Sequence, residues 1–171
     1  MADNWASKAG RRLRRFSFIK EVVSFLLLVG VIYFGIKGAL ILGLRTPSPM
    51  MGVVGTSMTH SGDNWTQGYE NIGRDPSEFP FQGGLQPGDL VVIQGLKSPA
   101  DLEVGDVVVR EGSRGLIIHR IIETEGRDGV WYFKTKGDNN LFADSSVPFR
   151  DIVGKAIWSI PYLGEPTRWF Q

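Results

Sequence analysis

Residues 105–136 read GDVVVREGSRGLIIHRIIETEGRDGVWYFKTK, and the fold class turns on them. Three short runs rich in β-branched and aromatic residues, Asp106–Arg110, Leu116–Glu123 and Val130–Lys136, stand between Gly- and Asp-bearing turns, which is strand patterning. In the middle run, Ile117, His119 and Ile121 should share one face, because side chains alternate along a strand. The same signals recur outward from this stretch, at Gly52–Gly55, Asp89–Gln94 and Asp151–Ile160. GDLVV (88–92) and GDVVV (105–109) look alike, as two strands that each start after a Gly-Asp turn. With 22 glycines and 9 prolines the chain is turn-rich, and the expectation is a mainly β domain.

Upstream the pattern changes. Val22–Leu44 (VVSFLLLVGVIYFGIKGALILGL) is almost continuously apolar and, as a helix, would be about 35 Å long, enough for a hydrocarbon core of about 30 Å. Its one charge, Lys37, lies near the far end, where the stem can snorkel to the interface. The run is longer than the apolar part of a cleaved leader, and no A-x-A-like site follows it, so a permanent anchor is expected. Lys8, Arg11, Arg12, Arg14, Arg15 and Lys20 precede it and Arg45 stands alone after it. The positive-inside rule therefore puts the N-terminus in the cytoplasm and the rest outside. The resulting division is a basic N-terminus (1–21), a transmembrane helix (22–44) and an extracytoplasmic β domain (45–171), with Pro47 and Pro49 keeping the connector non-helical. Thr59–Pro87 is a polar, loop-like stretch that is either functional or carries a short helix.

A length of 171 residues leaves room for one modest domain beside such a helix. A net charge of +1 speaks against a nucleic-acid-coating protein, and the absence of cysteine removes disulfides, thiol catalysis and thiolate metal sites.

Few groups remain for chemistry. His119 sits in the strand-like LIIHRII, where a lone histidine is by default structural; His60, in a polar loop, is a weaker candidate still. Ser57 follows a strand-like run and a glycine in VVGTSM. It is either a turn serine bonding its own backbone or a nucleophile whose hydroxyl and neighbouring N–H groups face one point. TKGDNNLFAD (135–144) carries Asp138 and Asp144 in a strong turn signal, and no further acidic or histidine ligand at metal spacing accompanies them.

Taken in order after an N-terminal anchor, Ser57-Met58, GDLVV, GDVVV, IIHRII, TKGDNN with a later Asp144, VPFRDIVGKA (147–156) and IPYLG (160–164) resemble type I signal peptidases of the archaeal and endoplasmic-reticulum kind. The resemblance spans roughly residues 20–165 and implies a signal-peptidase-like β domain on a single transmembrane helix. It implies a serine endopeptidase that cuts signal peptides from exported pre-proteins after small residues, at the membrane surface. Ser57 would be the nucleophile, with its backbone N–H meeting the oxyanion, and His119 the general base. Asp144 is the better match for the aspartate that orients the histidine and Asp138 for a supporting acid, with the exchanged assignment standing beside it. No cofactor or metal is implied. The implied partners are signal peptides bound by strand addition, membrane lipid and the protein translocation channel, with no nucleic acid; the cell membrane is the expected location, ahead of the endoplasmic reticulum.

Two positions depart from that family's pattern. His60 stands where a proline is usual two residues after the methionine, and Gly55 where a second serine commonly supplies an oxyanion donor, leaving Thr56 as a weak substitute. Two other readings follow: a Ser–Lys protease using Lys134, Lys136 or Lys155, and a non-catalytic membrane-tethered β domain that binds peptides or partners.

Overall fold

The computed structural model describes residues 3–60, 65–66, 69, 75–113 and 115–164, with side chains from Phe18 onward. The chain divides into two compact units, Met1–Leu40 and Ile41–Gln171. Helix α1 (Asp3–Leu44) begins well before the apolar run, because Asp3–Glu21 contains no proline and several good helix formers. Its segment Phe18–Leu44 is 27 residues long, with apolar side chains exposed around it; by length and composition it could cross a membrane. One such N-terminal helix suggests membrane anchoring.

The second unit is built on a seven-stranded antiparallel sheet in the order β1-β2-β7-β3-β4-β5-β6. The strands are β1 (Met50–Gly52), β2 (Leu90–Gln94), β3 (Val107–Gly112), β4 (Gly115–Arg127), β5 (Val130–Lys136), β6 (Val147–Pro148) and β7 (Ile152–Ile160). The protein is thus mainly β with one N-terminal apolar helix. The first strand lies slightly before its sequence expectation, and Val53 continues from it by bonding Gly88 and Asp89 through the backbone. Strand β4 runs further than its Ile-rich core because it forms a hairpin with β5. Asp128 and Gly129 both take positive φ (50° and 78°), the backbone that a two-residue hairpin turn demands.

The sequence of β3 shows why it lies inside the sheet. Val107 and Val109 point into one apolar cluster with Val53, Met58, Leu85, Val91, Ile93, Ile118 and Ala156. Val108 points the other way, into a second cluster with Leu102, Ile121, Phe133 and Ile152. A three-valine run without alternation is what a strand covered on both faces requires. Within the 59–87 stretch, Thr59 bridges Gly84, a short 3-10 turn spans Pro76–Glu78, and Trp65, Tyr69 and Phe79 form a third cluster. Residues 61–64, 67–68 and 70–74 of that stretch, and residues 165–171, lie outside the described residues.

Candidate active site

Ser57 sits in the turn after the first edge strand. The turn is closed by Thr59, whose N–H and hydroxyl both donate to the Thr56 carbonyl, at 3.2 and 2.8 Å. Met58 is buried in the first cluster and anchors the turn from below. Among the described residues the Ser57 hydroxyl has no hydrogen-bond partner, so it is not tied up as a turn-capping group. It lines a cleft of about 290 Å³, bounded by Met51–Gly55 and Met58 on one side and Leu116–His119 on the other. The fold thus brings Ser57 and His119, 62 positions apart in the chain, to one cleft.

Alternation along β4 decides what each polar residue of IIHRII meets. His119 and Thr135 lie on the same side as Arg110, through cross-strand pairs of β4 with β3 and β5. There the Asp144 carboxylate accepts from His119 Nδ1 at 2.6 Å, from the Thr135 hydroxyl at 2.7 Å and from the Arg110 guanidinium at 3.0 Å. Burial pushes the Asp144 carboxyl up, but the hydrogen bonds from His119, Thr135 and Arg110 outweigh it and hold the group below the usual carboxylate range. With Nδ1 donating to Asp144, Nε2 is the His119 nitrogen left for other work.

Arg120 points to the opposite face and takes the other aspartate. It reaches Asp138 through Nε and a terminal nitrogen, at 3.0 and 2.7 Å, and both side chains are fully buried. Its remaining donors meet the carbonyls of Pro80 and Gly105, both at 2.8 Å, while its guanidinium lies over the rings of Trp65 and Phe79. Asp138 also accepts from His60 Nε2 at 2.7 Å.

The structure therefore places Ser57 and His119 on one cleft with Asp144 held on His119, and Asp138 in a separate buried cluster with Arg120 and His60. Sequence reading missed Arg110, Thr135, Arg120 and the involvement of His60. Strand alternation at LIIHRII and the Thr two residues before the Gly-Asp turn were the available signals. None of Lys134, Lys136 and Lys155 lines the cleft. Lys134 pairs with Glu123 at 3.3 Å, Lys155 with Asp106 at 2.7 Å, and Lys136 reaches the Gly137 carbonyl at 3.4 Å.

A serine and a histidine on one cleft, with a carboxylate bonded to the far side of the histidine, are the groups that acyl-transfer hydrolases use. No family model matches the chain. It is 29% identical over 85 residues to signal peptidase I W of Bacillus subtilis, covering 43% of this chain and 45% of that protein. It is 26% identical over 157 residues to the signal peptidase complex catalytic subunit sec11 of Sclerotinia sclerotiorum, covering 86% and 77%. The corresponding subunit SEC11 of Fusarium vanettenii is 28% identical over 106 residues, covering 54% and 62%. The chain thus spans less than half the length of the first of these relatives. All three of these relatives are named as signal peptidases or their catalytic subunits.

Proposed function

We propose that this chain is a membrane-anchored serine endopeptidase that removes signal peptides from exported pre-proteins. The reading rests on one observation: Ser57 and His119 line the same cleft, and the ring of His119 is held through Nδ1 on Asp144 with Nε2 uncommitted. In this account Nε2 takes the Ser57 proton as the hydroxyl attacks the scissile carbonyl, then gives it to the leaving amine. Asp144 fixes the tautomer and stabilises the imidazolium that forms; Arg110 and Thr135 hold Asp144 in turn. The Ser57 backbone N–H meets the oxyanion.

His60 is a poor rival for the base. Both of its ring nitrogens are engaged, Nδ1 at the Gln82 carbonyl (2.9 Å) and Nε2 at Asp138 (2.7 Å), so neither is left to accept a serine proton. A lysine base is disfavoured because the three candidate lysines stand outside the cleft lining.

The substrate is an extended segment laid along the cleft beside Met51–Gly55, continuing the free edge of β1, with small side chains before the cut. The N-terminal helix holds the site near the bilayer, N-terminus in the cytoplasm and β domain outside, where lipid, the end of a signal peptide and the translocation channel come together. Incubation of the full chain, in lipid, with a pre-protein and mapping of the cut tests this. Cleavage after a small residue by wild type and none by Ser57→Ala is the expected result. Absence of wild-type cleavage, or full activity of Ser57→Ala, contradicts it.

A further inference from the structure

We infer that His60 is a positioning residue for Ser57, an inference that rests on the protease reading above. Thr56–His60 is tied to the turn after β5 at three points. Asn139 N–H donates to the Ser57 carbonyl at 2.8 Å and the Asn139 side chain to the Thr56 carbonyl at 3.3 Å, while His60 Nε2 meets Asp138 at 2.7 Å. The first two bonds hold the backbone at the nucleophile. The third fixes the chain three residues further on, and it is the only one of the three in which a side chain of the serine segment takes part.

The His60 ring is closely packed from behind. It stacks on Trp65 with centroids 4.2 Å apart and planes 14° from parallel. Its Nδ1 side meets the carbonyl of Gln82, whose own side-chain amide donates to the carbonyls of Pro76 and Phe79 at 2.6 and 2.7 Å. Its Nε2 side meets Asp138, which is immobilised by the buried Arg120. Gly84 backs the same segment. A Cβ there would lie 2.7 Å from the Met58 carbonyl and 2.9 Å from the His60 nitrogen, and its φ of +71° already favours glycine. The imidazole therefore bridges the serine turn to the buried Arg120–Asp138 pair, and His60 is not among the residues that line the cleft. Residues that hold a catalytic group through a locked network set its position to fractions of an ångström, and rate falls steeply when they loosen.

The test uses the full chain in lipid, with a pre-protein substrate and two variants. His60→Phe keeps an aromatic ring for Trp65 but removes both hydrogen bonds, and His60→Gln retains a side chain able to reach Asp138. The expected result is a kcat about 10- to 100-fold lower for His60→Phe with KM within about twofold, and recovery of at least several-fold in His60→Gln. Amide hydrogen exchange of Thr56–His60 should quicken in His60→Phe while that of Val130–Lys136 stays as in wild type. Wild-type kcat in His60→Phe, a loss confined to KM, or exchange that rises evenly across the domain would each overturn the inference. Should wild type itself not cleave, the protease reading fails, whereas the exchange comparison still decides whether His60 orders the segment.

Discussion

His119 and Arg120 are neighbours on β4, face opposite sides of the sheet, and are each met by a different aspartate of one loop. Residues 137–144 cross the end of the sheet and deliver Asp138 to one face and Asp144 to the other. Exchanging the two carboxylates would take a one-residue slip of β4, which would move Ile118 and Ile121 each into the other's apolar cluster.

Their substitutions should therefore separate. Asp144→Asn should lower kcat by about 10⁴, since it removes the group that holds the His119 tautomer, and should cost less folding stability than loss of the buried Asp138. Asp138→Asn strands the fully buried Arg120 guanidinium and should cost about 3–5 kcal/mol of folding stability. Parallel cleavage assays and denaturant melts of the two variants check this; a reversed pattern would contradict the assignment.

Gly137 is where the loop touches the serine turn. A Cβ there would lie 2.8 Å from the Ser57 carbonyl and the same distance from the Asn140 side-chain nitrogen. Gly137→Ala should push the turn off Ser57 and reduce kcat about 10-fold or more while KM changes little. Steady-state kinetics of the variant measures it.

Gly55 offers the opposite experiment. A Cβ at that position meets nothing within 4 Å, so a side chain fits there at the cleft wall. Gly55→Ser should leave thermal stability unchanged and raise kcat, by as much as about tenfold if the new hydroxyl reaches the oxyanion. A fall in kcat in a variant of unchanged Tm would place the oxyanion elsewhere.

The pH dependence of stability should carry the mark of Asp144. Its folded-state pKa is depressed against burial by the hydrogen bonds from His119, Thr135 and Arg110. The stability it contributes is thus fully present above the ordinary carboxylate pKa of about 4, and is lost as pH falls through the lower folded-state value. Melts of wild type and Asp144→Asn should differ by a constant amount from neutrality to about pH 5 and converge below about pH 4. A gap that widens on acidification would contradict it.

Much of this architecture was legible beforehand because its signals are local. The apolar run announces α1, and Val-, Ile- and aromatic-rich runs between Gly-, Pro- and Asp-bearing turns mark β2, β3, β4, β5 and β7. What sequence could not show depends on faces and on distance along the chain. Arg110 and Thr135 gather on Asp144 only because β3 and β5 flank β4 in register. His60 reads as a loop residue until the 59–87 stretch folds back on Arg120 and Asp138, 78 positions away. Sequence leaves the choice between Asp138 and Asp144 open for the same reason: they lie six positions apart on one loop, and only the sheet's two faces tell them apart.

The central claim is that the imidazole of His119 serves the hydroxyl of Ser57. Single-turnover cleavage of a saturating pre-protein by wild type and His119→Ala, in lipid at neutral pH, tests it most directly, because binding and product release drop out of the comparison. The account predicts that His119→Ala is slower by at least about 10³, with binding of the pre-protein retained. A rate within tenfold of wild type would contradict it.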